Sequence, residues 1–140
     1  MTQPLPKIQR LPDWQLRLEH FLQARMLQKF EYGSNDCGLF AADAVWAMTG
    51  VDFAPHLRSH TSAREAIATQ RRHAGLGKIA ARLLGPAGPV QLASVGDVLL
   101  LKIGKREALG ICNGTAIIGP GPAGLAYAPM AAALACWRVV

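Results

Sequence analysis

The sequence predicts an α+β fold, with helices first and an antiparallel β-meander after them, and three observations carry that expectation. Apolar residues recur at helical spacing through the first half of the chain. The run Gly85-Pro86-Ala87-Gly88-Pro89 then breaks every periodic pattern. Short apolar runs follow, separated by turn signals, of which Asn113-Gly114 is the strongest because both positions tolerate positive φ. Segregated helices and strands of this kind mean α+β rather than alternating α/β.

Each element has its own residues behind it. Trp14, Leu18, Phe21, Leu22 and Met26 form one apolar stripe of a first helix, with Asp13, beside Pro12, at the N-cap. A second helix begins near Cys37, where Asn35 or Asp36 can accept from first-turn N–H groups, and ends at Gly50 in a left-handed cap. Ala41, Ala42, Ala44 and Ala47 suit this helix to close packing. A third helix is expected over 62–73 and a short fourth over 78–84. Val98–Ile103 is a continuous apolar run, as in a buried strand, turned by Gly104-Lys105. Partner strands follow over 107–112, 115–118, 125–128 and 135–140, with a loop at 119–124.

At 140 residues the chain has the length of one domain with a core of its own. It is 51% hydrophobic and 17% charged, the composition of a folded protein rather than a disordered one. No apolar run approaches the roughly 20 residues that span a bilayer, and the start lacks the apolar stretch of a secretory signal. Pro4, Pro6 and Pro12 suggest an extended N-terminal arm over 1–12, followed by a single domain over 13–140. Three widely spaced cysteines match neither a disulfide framework nor a metal site, so reduced thiols in a protein made in the cytosol are expected. No cofactor is implied.

The net charge of +6 is unevenly placed. Residues 1–53 hold five Lys/Arg against six Asp/Glu; residues 54–95 hold Arg58, Arg64, Arg71, Arg72, Lys78 and Arg82 against Glu65 alone. Such a surface favours acidic partners. Nucleic acid is disfavoured among them, because no aromatic residues interleave the basic ones for base stacking.

Cys37 is the residue with chemistry to explain. A thiol in the first turn of a helix meets unpaired N–H groups and the positive end of the helix dipole, and both favour the thiolate. The same N–H groups suit an oxyanion. A cysteine hydrolase also needs an imidazole within reach.

Four segments occur in order over most of 28–140: Phe30-Glu31-Tyr32-Gly33, Asp36-Cys37-Gly38-Leu39-Phe40, Gly96-Asp97-Val98-Leu99 and Leu109-Gly110-Ile111-Cys112-Asn113-Gly114. With them the chain resembles the NlpC-type cell-wall peptidases, a papain-like family, in the compact form found in phage and prophage tail modules. The resemblance implies a papain-like fold, Cys37 as nucleophile, and a cleft lined by Phe30, Tyr32, Asp36, Gly38 and Ala108. It also implies a place at the tail tip, with other tail or baseplate proteins, and peptidoglycan, as partners. The active members carry a histidine before the Gly-Ile strand motif, and here Ala108 or Leu109 takes that place. Phe30 lacks the hydroxyl of the family's usual tyrosine. Without a base the thiol loses about 10²–10⁴ in rate.

His56 and His60 lie in a Pro-bounded loop and are the candidate substitute bases; with no further ligands at suitable spacing they do not imply a metal. His20 is expected on an exposed helix face and His73 on the basic one. Cys112 and Cys136 read as core. The expected function is a structural or assembly protein of a phage-type tail tip or baseplate with a degenerate peptidase fold, made in the host cytoplasm and resident in the virion tail. An active Cys37-dependent peptidoglycan endopeptidase or amidase is the first alternative, and a basic nucleic-acid-binding module the second.

Overall fold

The computed structural model describes residues 8–53, 55, 58, 62, 64, 65, 68 and 75–139. It is α+β. Three helices run unbroken among the described residues: α1 (Trp14–Arg25), α2 (Cys37–Thr49) and α3 (Leu76–Leu84). They precede strands β1 (Val98–Ile103), β2 (Arg106–Cys112), β3 (Ala116–Gly121), β4 (Gly124–Pro129) and β5 (Ala135–Trp137). The strands form one antiparallel sheet in the order β4-β3-β2-β1-β5. No helix among the described residues is long and apolar enough to cross a membrane.

α2 is the central helix. Its N-cap Asp36 accepts from the Leu39 N–H at 2.9 Å, and Gly50 closes it at φ +77°. Ala41, Ala42 and Ala44 are wholly buried, so α2 packs tightly on α1 and on β2 and β3. Phe21 of α1 meets Phe40 of α2 at 5.1 Å between ring centres. Side chains alternate across β1. Val98 and Leu100 face the helices, whereas Leu99 and Leu101 join Ala108, Cys112, Ile117 and Cys136 in a second cluster. The 3-10 turn Met130–Ala132 and residues Val90, Ala93 and Ala133 cover that cluster, which is why β1 reads as apolar on both sides.

Several elements differ from expectation. Asp13 makes no side-chain cap of α1; its carboxylate accepts from Arg17 Nε at 2.7 Å instead. Met26, at the end of the expected apolar stripe, is exposed. α3 starts two residues early, because Glu107 of β2 accepts from the Gly77 N–H at 3.2 Å and so caps its first turn. β5 ends at Trp137, after which the Val139 N–H turns to a side chain, Asp97 Oδ1, at 3.2 Å. The expected helix over 62–73 falls mostly outside the described residues, although Arg64, Glu65 and Ala68 are helical. Residues 1–7 of the expected arm also fall outside; Ile8 packs on the core and the Leu11 N–H donates to the Met48 carbonyl at 2.8 Å.

The expected loop over 119–124 shrinks to Pro122 and Ala123, with β3 and β4 running up to it. A strand tolerates Pro120 only where its missing N–H has no partner to serve. Main-chain groups of alternate residues in an antiparallel strand face opposite neighbours. In β2 the even-numbered residues face β1, as the Cys112 N–H to Asp97 carbonyl bond of 2.9 Å shows, so 107, 109 and 111 face β3. Ile111 pairs with Ile118, and the next such pair would join Leu109 to Pro120. There the pairing stops, and β2 and β3 part. Gly110 permits their close approach just before they divide, since a Cβ there would collide with Ile117 Cγ2 and the Ile118 carbonyl.

Asp97 ties the chain ends together. It is 1% exposed, and its carboxylate accepts from Arg10 Nη2 at 3.0 Å and from the Ser94 N–H at 3.0 Å besides the Val139 N–H. Arg10 Nε donates to the Val139 carbonyl, and the guanidinium lies 3.9 Å from the centre of the Trp14 ring. Stranding one member of a buried pair costs roughly 3–5 kcal/mol. Arg10→Met is therefore expected to lower stability to urea by about 3 kcal/mol; a loss below about 1 kcal/mol, the range of exposed pairs, would mean that water reaches Asp97.

Candidate active-site cleft around Cys37

The turn before Cys37 is held by side chains that the sequence places together. Gly33 adopts φ +85°, and Asp36 accepts from its N–H at 3.0 Å while capping α2 with its other oxygen. Asn35, 1% exposed, donates to the carbonyls of Gln28 and Lys29 and accepts from Arg25 Nη1 at 2.9 Å. The Phe30 N–H donates to the Gly121 carbonyl at 2.7 Å, which closes the far end of the β2–β3 split. Phe30 and Tyr32 stack edge to face at 4.8 Å. A fixed backbone thus delivers Cys37 into the gap that Pro120 leaves.

Two cavities meet at Cys37. One, of about 320 Å³, is apolar and is lined by Leu101, Ile103, Ala108, Ile117 and Ala128 among others. The other, of about 270 Å³, is lined by Phe30, Tyr32, Asp36, Arg106 and Glu107. Cys37, Ile103 and Ala108 belong to both. Ala108 sends its side chain to the sheet face away from the helices, while Leu109 buries its own in the helix-side core. Of the two positions expected to replace the family's histidine, Ala108 is therefore the one beside the cleft. Gly38 is buried in the first turn of α2.

The thiol does not behave as its helix position suggests. Burial pushes the Cys37 thiol above its ordinary value near 9, and the Asp36 carboxylate pushes the same way. Main-chain N–H groups of Leu109, Gly38 and Cys37 pull down without cancelling the shift. Leu109 contributes because its N–H, having no partner in β3, is turned into the split. Burial thus opposes the thiolate that the helix start favours: Cys37 is half-buried, and its thiol is shifted upward. Cys112 and Cys136 are buried, as expected, and burial together with Asp97 pushes Cys136 up to about 11.

The other expected site residues scatter. His56, His60 and His73 lie outside the described residues, as do Arg71 and Arg72; His20 is exposed on α1. Arg64, Lys78 and Arg82 are exposed. Arg58 is a correction to the expected basic surface, because it is half-buried and held by Asp43 at 2.6 Å and Asp52 at 2.8 Å, with its guanidinium 4.9 Å from the Trp46 ring centre. Arg25 joins the same network through Asp43 at 2.6 Å. Among the described residues no three His, Cys, Asp or Glu side chains are grouped to hold a metal ion. Sequence reading missed Arg106, Glu107 and Ile103 as cleft residues. The one signal available was period two: 106 shares a strand face with 108.

Residues 9–139 match the model of a protein family described as a domain of unknown function, DUF6950. The chain belongs to that family. No curated protein matches it. The DUF6950 match spans every element described above, from Arg10 to Val139, so the Asp97 clamp and the Cys37 cleft lie in one domain.

The raised thiol has a measurable consequence for the DUF6950 cleft. Alkylation of Cys37 by iodoacetamide, followed by mass spectrometry, should be slow at pH 7 and accelerate tenfold per pH unit until the solution passes the raised value, since only the thiolate reacts. A rate that levels off below pH 8 would contradict the burial-driven shift.

Proposed function

We propose that this chain is a structural or assembly component of a phage-type tail tip or baseplate, built on a degenerate NlpC-like, papain-like peptidase fold. One observation carries the reading: Ala108 stands beside Cys37 in both cavities, at the position where the resemblance places the histidine of active enzymes. A methyl group cannot take a proton. The carboxylates nearest in sequence are committed elsewhere, Glu107 to the first turn of α3 and Asp36 to the turn and cap of α2. Burial then shifts the thiol upward, so among the described residues neither half of a cysteine–histidine pair is prepared for attack.

In this reading the domain persists because its surface is useful to other tail proteins, which are its partners in the virion. Large apolar side chains remain exposed on it, including Leu27 at 86%, Leu92 at 65% and Leu134 at 58%.

Three measurements test the proposal. Tail particles purified from a producing cell should contain the chain in fixed stoichiometry; complete particles formed without it would end the structural reading. The intact protein should release no muropeptides from purified peptidoglycan, and Cys37→Ala should change nothing; release that disappears in Cys37→Ala would establish the active-enzyme alternative. Ala108→His should bring an imidazole to the sulfur, lower the thiol's apparent pKa and speed alkylation at pH 7 by up to about tenfold for each unit lowered. An unchanged alkylation profile in a folded Ala108→His variant would show that position 108 is not the seat of the lost base.

A further inference from the structure

The two cavities that meet at Cys37 differ in chemistry, and together they describe a ligand. The apolar one is walled by small and aliphatic side chains, and at its mouth Ile103 and Tyr127 are 69% and 64% exposed. The other holds charged groups, but most of them are already engaged. Asp36 accepts from the N–H groups of Gly33 and Leu39, and Glu107 accepts from the N–H of Gly77. Arg106 is different. Its Nη1 donates to the Tyr32 hydroxyl at 3.4 Å, and among the described residues it forms no ion pair. Lys102, which also lines the apolar cavity, and Lys105 in the adjoining turn form none either.

We propose that the joined cavities bind a small aliphatic carboxylate, the hydrocarbon part in the apolar cavity and the carboxylate on Arg106 beside Tyr32. The charge at the polar end selects an anion, and the planar fork of a guanidinium matches a carboxylate's two oxygens. Ligand sites are mostly apolar concavities with a few placed polar groups, of about 300 Å³ and upward. The apolar cavity, at about 320 Å³, admits a short aliphatic chain rather than a long acyl tail. Two sources share this chemistry: a free short-chain acid, and the C-terminal carboxylate of a peptide ending in an aliphatic residue. The assignment stands apart from the tail reading, since it concerns the cleft alone.

Cys37 supplies the reporter, because it lies at the junction and is the one cysteine of three that is not buried. A bound ligand should slow its alkylation by 1 + [L]/Kd, about threefold when the ligand is present at twice its dissociation constant. Hexanoate should protect Cys37 at pH 8.5, hexylamine should not, and Arg106→Gln should lose the protection, each rate being compared with the same variant's own unliganded rate. N-acetyl-alanyl-leucine and its C-terminal amide form the second arm: protection by the dipeptide acid but by neither its amide nor hexanoate assigns the site to a peptide terminus, and protection by hexanoate assigns it to free acids. The proposal is overturned if neither acid protects, if hexylamine protects as well as hexanoate, or if Arg106→Gln is protected as strongly as the parent. Particle association is a separate readout, so failure here leaves the tail reading to its own test.

Discussion

Strand β3 carries no N–H at Pro120, and the β2–β3 ladder stops one pair before that position, beside the cleft. Pairing between β2 and β3 ends at Ile111 and Ile118, and at the next position Pro120 lacks one of the two groups, its N–H, that the pair with Leu109 would use. The strands part, the Phe30–Cys37 turn fills the far end of the gap, and the first turn of α2 arrives at its edge. The same separation frees the Leu109 N–H to face the sulfur and opens the space that Ala108 lines. A full β2–β3 ladder would close this region as ordinary sheet. The cleft is thus a local defect in hydrogen bonding, kept open by a residue that cannot repair it.

Buried and half-buried carboxylates hold the surroundings in place, each by accepting from several donors at once. Asp36 joins the turn to α2, Asp97 joins both chain ends to the start of β1, and Asp43 draws Arg25 and Arg58 onto α2. Acidic groups used in this way are removed from the chemistry of the cleft. Asp36 even works against it, since its charge beside Cys37 disfavours a thiolate. The competition between helix-end N–H groups and burial is decided by desolvation, which raises the half-buried thiol more than the main-chain donors lower it.

How far the site could be read in advance follows the range of the interactions. Asp36 as a cap, Gly50 as a helix stop, Val98–Ile103 as a strand and the Gly104-Lys105 turn all depend on neighbours within a few residues, and all stand as expected. Asp13 failed as a cap because Arg17, one turn on, offered a better donor. Arg58 was counted as surface because its partners, Asp43 and Asp52, come from a different element and an intervening turn. Glu107 could not be recognised as the cap of α3, thirty residues away in the chain.

The sequence by itself determined the order and type of the elements, the seat of Cys37 at a helix start, and the absence of a histidine from the strand that follows. Those properties are local, set by backbone propensity, capping and the period of apolar residues. Only the tertiary structure decided that Ala108 rather than Leu109 borders the cleft, that burial shifts the Cys37 thiol upward, and that Arg106 lines the polar cavity with no acidic partner among the described residues. Such outcomes depend on which face of a strand meets which helix and on how much water is excluded there, and both are fixed only when distant segments come together.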